Sequence, residues 1–222
     1  MSKLHQQCYE QLFEAILNRR LEPGAHLSEE KLSQIYQVSR SVIRRTLQRL
    51  FDEGIVDIRP NRGARVNSID GETARHIFEA RDIVESGIVM KLAGKLSEHD
   101  QGSLNQLCDE ENVAINSGDR ARGLRLSTQF HLALVKLGEN PLLEQYATNL
   151  LSRSSLAIAC LEKSQPAYCA HEDHPGIVHA LVIGDAAKAQ SLMTRHLDHI
   201  MSNLIFDDSA AEDSLEKILV GL

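Results

Sequence analysis

Histidines in the second half of the chain are the residues most suited to metal chemistry. Eight of the ten histidines lie after residue 66, and three of them, His131, His174 and His196, are spread over well-separated positions. His131 follows Ser127 by four residues, so both lie on one face of a helix. Neutral imidazoles that converge from separate helices suit Zn²⁺ or Ni²⁺. Spacing alone also fits ordinary surface or core histidines, because no compact ligand motif such as HExxH is present.

Arginines near residue 45 form a second group that could do chemistry, by binding phosphates. A helical projection from residue 40 onward puts three apolar residues on one face, Ile43, Leu47 and Leu50. The other face carries Arg40, Ser41, Arg44, Arg45, Gln48 and Arg49. Such arginines can reach phosphates or guanine edges in a DNA major groove. Ser39 and Ser41 lie where the helix begins and can donate to a phosphate there. A solvated surface helix is the alternative explanation.

Three helices and a hairpin must position these arginines. We predict a helix over about residues 4–20, a short helix capped by Ser28, and a third from Ser39 to about residue 52. The period then changes to two over residues 55–59, and a turn at residues 60–63 precedes a returning strand. This order predicts a winged helix-turn-helix, with Arg62 and Gly63 in the wing.

After Val66 the pattern predicts helices alone. Capping residues mark the starts of four of them, at Asp70, Ser97, Asn140 and Asp185, and we expect the first of these helices to end near residue 96 and the last near residue 206. Pro166 and Pro175 are expected to break the chain between two helices. The fold class is therefore mainly α, in four parts: a winged helix-turn-helix over 1–67, a linker over 68–72, an all-helical effector domain over 73–207 and an acidic tail over 208–222.

The charge of the chain divides along the same boundary. The total is −7, which taken alone argues against binding nucleic acid. Residues 1–66 hold 11 Lys and Arg against 8 Asp and Glu, a net charge of +3, whereas the remainder holds 13 against 23, a net charge of −10. A basic head on an acidic body is compatible with DNA binding by the head.

Composition excludes several other classes of protein. Hydrophobic residues make up 42% of the chain and charged residues 25%, which excludes disordered and low-complexity classes. No apolar run approaches the length of a membrane span, so we expect a cytoplasmic protein without membrane contact. The four cysteines form no CxxC pair, which argues against a thiol redox regulator.

Several stretches of the head match motifs of a known protein family. Residues 21–29, LEPGAHLSE, resemble the motif P-G-x-x-L-x-E, and residues 38–50, VSRSVIRRTLQRL, resemble V-S-R-T-P-V-R-E-A-L-x-x-L. Residues 54–56 and 61–66 resemble the wing that accompanies these motifs. The head thereby resembles the bacterial GntR family of winged-helix transcription regulators. Together with the helical projection and the hairpin, the resemblance predicts DNA contacts from Ser39, Arg40, Ser41, Arg44, Arg49, Arg62 and Gly63, and we expect Arg45 to add a phosphate contact of its own. Arg45 stands where the family has Glu, so a family operator sequence does not carry over.

The body carries a second set of motifs: RDIVE at 81–85, FHLAL at 130–134, GENPL at 138–142, EDH at 172–174 and HL at 196–197. On these motifs, residues 73–206 resemble the FCD effector domain of the FadR-like branch of that family. The resemblance implies a divalent metal ion, Zn²⁺ or Ni²⁺, held by His131, His174 and His196. The family's fourth ligand, an Asp, is replaced by Ser127, whose hydroxyl is a poor zinc ligand. Arg81 stands at the family's arginine and is expected to bind a carboxylate effector; the alternative is an ordinary ion pair with Glu85.

These features together predict a regulator, a repressor by preference, that binds palindromic DNA half-sites as a homodimer. A small carboxylate effector would control its affinity for DNA. Two alternatives stay open: a regulator whose metal site is degenerate and empty of metal, and a hydrolytic enzyme with a three-histidine metal. The enzyme is disfavoured because no general base accompanies the histidines at a defined spacing.

Overall fold

The computed structural model describes residues 3–59, 62–162 and 173–206. The predicted acidic tail, Pro166 and Glu172 of the EDH motif lie outside the described residues. Within these ranges the elements follow the order α1 (Lys3–Leu17), β1 (His26–Leu27), α2 (Glu29–Tyr36), α3 (Arg40–Asp52), β2 (Val56–Arg59), β3 (Gly63–Val66), α4 (Gly71–Leu92), α5 (Glu98–Asn116), α6 (Arg120–Leu137), α7 (Pro141–Leu161), α8 (Asp173–Ile183) and α9 (Ala186–Ser202).

The head contains three helices and a small antiparallel sheet. The strands lie in the order β1-β3-β2, so β1 adds a third strand to the predicted hairpin. The sequence does not predict β1, because two residues are too few to show the alternation of a strand. Ser28 caps α2 as expected by accepting from the backbone N–H of Lys31 at 3.3 Å. Ser39 precedes α3, but its hydroxyl lies 2.8 Å from that of Ser41 and does not cap the helix.

Two helices of the body end earlier than the sequence predicts. α4 stops at Leu92, because Gly94 takes a left-handed backbone (φ 74°) and donates to the carbonyl of Leu181 at the end of α8. α9 stops at Ser202, after which Leu204 forms a β-bridge with Glu162. In both cases a tertiary backbone contact outweighs the local helical preference.

α1 also ends early, and α8 begins where a break was expected. The predicted first helix reached residue 20, but Arg19 adopts a left-handed backbone (φ 55°) and α1 ends at Leu17. Pro175 lies in the first turn of α8, where a missing N–H costs no helical hydrogen bond, so His174 lies at the start of a helix. The capping box of Ser97 and Asp100 forms as predicted.

An aliphatic core runs through both parts of the molecule. Phe130 of α6, Ile177 of α8 and Leu181 of α8 are fully buried in the body, and Ile43 and Leu47 of α3 anchor the head. No helix within the described ranges is long and apolar enough to cross a membrane. The core fixes α4, α5, α6, α8 and α9 around the histidines.

Candidate metal centre and nucleic-acid interface

The structure brings the three histidines together from three helices. Nε2 of His131 (α6) lies 3.0 Å from Nε2 of His196 (α9), and Nε2 of His174 (α8) lies 3.2 Å from the same atom. The nearest ring nitrogens of all three lie within 4.8 Å of one another. Each side chain is almost fully buried. The sequence motifs predicted this set of residues, and the fold places their Nε2 atoms around one point.

Carboxylates face the outer nitrogen of every imidazole in the cluster. Nδ1 of His174 lies 2.7 Å from Oε2 of Glu111, and Nδ1 of His196 lies 3.8 Å from Oδ2 of Asp173. Nδ1 of His131 lies 2.5 Å from Oε2 of Glu85, although not in the alignment of a hydrogen bond. A carboxylate at Nδ1 favours the tautomer with its proton there, which leaves the Nε2 lone pair for a metal.

This arrangement of donors fits a divalent cation. Once each Nδ1 carries its proton toward a carboxylate, each Nε2 has no proton and can only accept. The short contacts between Nε2 atoms then bring acceptors face to face. Three lone pairs aimed at one another repel, and a cation between them relieves that repulsion. Three neutral imidazoles are also the ligands that Zn²⁺ and its neighbours in the periodic table prefer. The chemistry of the residues present therefore agrees with the predicted metal site.

Electrostatics keep the imidazole of His131 neutral and the carboxylates of Glu85 and Asp173 charged. Burial lowers the pKa of His131 to about 3, against the opposing effect of Glu85. Burial alone would raise the pKa of Glu85, but Arg81 and His131 outweigh it and hold the pKa below its usual range. Burial likewise opposes ionisation of Asp173, whose pKa is lowered by hydrogen bonds from histidines and Arg195. Neutral imidazole is the form that binds a metal ion.

Sequence reasoning missed the carboxylates that contact the histidines. Glu85 was seen as the partner of Arg81, and Asp173 lies in the EDH motif, so both stood beside recognised residues. Glu111 had no signal, because it is one of several acidic residues on α5 and its contact with His174 spans 63 positions. Ser127 is half-buried on α6, one turn before His131, and its side chain carries only a hydroxyl.

Arg81 is buried beside the histidine cluster, and its guanidinium is hydrogen-bonded to other side chains of the same chain. Its Nε donates to Oε1 of Glu85 at 2.7 Å, and its Nη1 donates to Oγ of Ser154 on α7 at 3.0 Å. The side chain is 3% exposed. The i, i+4 ion pair weighed from the sequence is therefore present, and it holds Glu85 next to His131.

The exposed face of α3 carries three arginines in different states. Arg44 donates twice to the carboxylate of Glu29, at 3.1 and 2.9 Å, and Arg40 pairs with Glu30 at 2.9 Å. Arg45 is exposed and makes no hydrogen bond or ion pair to the residues that the structure describes. Ser39 and Ser41 are exposed at the start of the same helix. A phosphate can reach all of these side chains from solvent.

Arg49 differs from the other arginines of α3. Its guanidinium lies 3.6 Å from the ring centroid of Tyr9 and donates to Glu53 and Gln6 at 2.9 and 2.8 Å. The helical projection places Arg49 on the polar face, but partners on α1 hold it within the head. On the wing, Arg62 is exposed, and Gly63 has a left-handed backbone (φ 71°). They line a pocket of about 250 Å³ together with Arg59 and Arg65.

Comparison with known proteins identifies both parts of the molecule. The model of the FCD domain matches residues 76–199, more than half of the chain, and the model of bacterial regulatory proteins of the gntR family matches residues 4–66. The chain belongs to the GntR family and carries an FCD domain. A GntR regulator of this type binds DNA, and neither domain indicates an enzyme.

Several transcription regulators are similar to this GntR-family chain over most of its length. The HTH-type transcriptional repressor RspR of Escherichia coli (strain K12) is 26% identical over 90% of this chain and 89% of its own. The HTH-type transcriptional regulator LutR of Bacillus subtilis (strain 168) is 26% identical over 83% of this chain and 94% of its own. The solved structure of E. coli McbR/YncC has a TM-score of 0.78 at 20% identity and covers 91% of this chain and 97% of that one, which shows the shared fold.

Proposed function

We propose that this regulator is a repressor whose affinity for DNA is set by a small carboxylate effector bound beside a divalent metal ion. The observation that carries the proposal is the convergence of three Nε2 atoms, each histidine having a carboxylate at its Nδ1. The relative RspR is a transcriptional repressor, which supports the proposed direction of regulation.

The metal would be Zn²⁺ or Ni²⁺, held by His131, His174 and His196. Ser127 replaces the carboxylate that family members supply, so the protein offers three strong ligands rather than four. When bound, the metal supplies a cationic centre with open positions for oxygen ligands. A chelating, strongly anionic effector suits such a centre better than a neutral one, because it replaces the missing ligand and its charge.

Arg81 is the protein group proposed to bind the carboxylate of the effector. It lies one contact away from the histidine cluster, through Glu85. The effector carboxylate would take the place of the Glu85 carboxylate on the guanidinium. Such an exchange would change the surroundings of His131 at the same time, which would link effector binding to the metal site.

DNA contacts are proposed for Ser39, Arg40, Ser41, Arg44 and Arg45 of α3 and for Arg62 and Gly63 of the wing. Arg49 is proposed to support this surface from behind, since its guanidinium is held by Tyr9, Glu53 and Gln6. Each chain provides one such helix, so two copies would bind a palindromic operator. Ile83 and Met90, exposed seven residues apart on α4, offer apolar surface to a second copy.

Fluorescence anisotropy with the DNA upstream of the protein's own gene tests the proposal. Titrations are made on metal-stripped protein, on protein with one equivalent of Zn²⁺ or Ni²⁺, and with di- and tricarboxylates added to each. The expected result is stoichiometric metal binding by calorimetry and a carboxylate-dependent loss of DNA affinity that requires the metal. An equal carboxylate effect on stripped protein would favour a metal-free regulator, and no metal binding at all would refute the metal centre.

A further inference from the structure

A buried carboxylate lies at the C-terminal end of α3. Glu53 directly follows the last residue of the helix and is 8% exposed. Tyr9 of α1 donates its hydroxyl to Oε2 of Glu53 at 2.5 Å, and Arg49 donates to Oε1 at 2.9 Å. Burial and the neighbouring charge of Glu53 raise the pKa of Tyr9, so the phenol keeps the proton that it donates. Within the head, Glu53 therefore joins α1 to the end of α3.

The same carboxylate reaches across to the body. Oγ of Ser152, on α7, donates to Oε2 of Glu53 at 3.0 Å. Asn149, one turn earlier on α7, donates its side-chain amide to the backbone carbonyl of Asp52 at 2.7 Å. Gly54 lies so close to Arg153 that a Cβ there would come within 2.9 Å of the Arg153 side chain. One turn of α7 thus contacts the last residue of α3 and the two that follow it.

The opposite side of this turn of α7 contacts the histidine site. Ser154, two residues after Ser152, accepts from Nη1 of Arg81 at 3.0 Å. Arg81 in turn holds Glu85, whose carboxylate lies against Nδ1 of His131. Polar contacts on the two sides of α7, joined by its backbone at residues 152–154, therefore connect the histidine cluster with the end of α3.

Burying a carboxylate between two parts of a molecule needs a reason beyond stability. Apolar residues of similar size are often as stable or more so in such a place. They would also tolerate sliding of one helix over another, whereas three directed donors to one carboxylate allow a single arrangement. The contacts at Glu53 are therefore suited to fix the orientation of α3 on the body.

We infer that Glu53 is a positioning residue that docks α3 on α7, and that α7 carries the state of the histidine site to the DNA-binding face. The second part rests on the proposed function, because it requires a ligand at the histidines. The first part does not, and it holds for the protein without metal.

Three serine variants on α7 separate these two parts. Ser152→Ala removes the donor to Glu53, and Ser154→Ala removes the acceptor of Arg81. Ser155→Ala is the matched control, because Ser155 is equally buried on the same helix but lies 3.0 Å from the hydroxyl of Thr128 on α6. Glu53→Gln is a second probe of the head side, since it keeps an acceptor and loses the charge.

Hydrogen exchange of the backbone amides of residues 53–55 is the measurement, because all three are hydrogen-bonded at the end of α3. Without metal, exchange is expected to accelerate about two- to thirtyfold in Ser152→Ala and Glu53→Gln, and to stay unchanged in Ser154→Ala and Ser155→Ala. Equal exchange in Ser152→Ala and Ser155→Ala would overturn the docking role of Glu53.

Adding one equivalent of Zn²⁺ tests transmission. Exchange at residues 53–55 is expected to change in the wild type and in Ser155→Ala, and to lose that change in Ser152→Ala and Ser154→Ala. Calorimetry must show Zn²⁺ bound in all four proteins. Bound Zn²⁺ with no change in the wild type, or with the same change in all four, would overturn transmission through α7. Absence of Zn²⁺ binding would refute the proposed function, and the metal-free comparison would still decide docking.

Discussion

The DNA-binding face of the head and the histidine cluster of the body are built on opposite physical principles. Arg40 and Arg44 of α3 are exposed, and their carboxylate partners are solvent-accessible, Glu30 fully and Glu29 in part, so both can be exchanged for other anions. The histidines are buried, and their carboxylate partners are fixed by three different helices. The head is therefore suited to a partner that is bound and released, whereas the body is suited to an ion that stays.

The largest expected effect would test whether the body needs all of its buried imidazoles. His174→Ala should abolish stoichiometric Zn²⁺ binding in calorimetry, a greater loss than the ~10–100-fold typical of changing an outer-shell partner. His179→Ala is the matched control, because His179 lies on the same helix and is exposed. His196→Ala provides a second removal, should the cavity left beside Phe130 destabilise the first. Full binding by both cluster variants would disprove the site.

The carboxylates around the cluster should have a smaller but clear effect. Glu111→Gln keeps the shape of the side chain but can no longer fix the tautomer of His174 by charge. We expect Zn²⁺ affinity to fall by about 10–100-fold, measured by competition with a chelator. Glu110→Gln, one residue away and turned to Gln106 on the surface, should leave the affinity unchanged. Equal affinities in the two variants would mean that Glu111 has only a structural role.

Removing one phosphate contact from the head should weaken DNA binding by less than the histidine and carboxylate changes weaken Zn²⁺ binding. Arg45→Ala is expected to reduce DNA affinity several-fold on every sequence and to make the plot of log affinity against log salt shallower by about 1. Arg122→Ala, which removes the same charge from an exposed position of the body, is the control. A steeper or unchanged slope in Arg45→Ala would show that this side chain does not contact a phosphate.

The smallest expected effect concerns the acidic partners of α3. The hydrogen bond from Arg44 holds the pKa of Glu29 below its usual range, so the pair is charged at neutral pH. Glu29→Gln should free Arg44 and raise DNA affinity about two- to fivefold, since exposed ion pairs are weak. Glu22→Gln makes the same charge change at an exposed position of the head. If DNA affinity rises equally in both variants, the effect comes from the change in net charge and not from the release of Arg44.

Sequence could predict the head better than the body because the head's signals are local. The apolar face of α3, the cap at Ser28 and the turn before β3 depend on residues a few positions apart. Arg49 is the exception, since its contact with Tyr9 crosses 40 positions. In the body the family motifs supplied the histidines, but Glu111 could not be found, because only the packing of α5 against α8 gives it a partner.

The ion pairs of Arg40 and Arg44 have a consequence for how the protein would search a chromosome. An arginine that already has a carboxylate partner must give it up to bind a phosphate, so it gains less from random DNA than a free arginine would. Weak contacts with random sequence shorten each stay there. At a site that adds contacts with the bases, those contacts would compensate for the loss of the ion pairs. Glu29 and Glu30 of α2 would thereby weaken binding to random DNA and shorten the search for the operator.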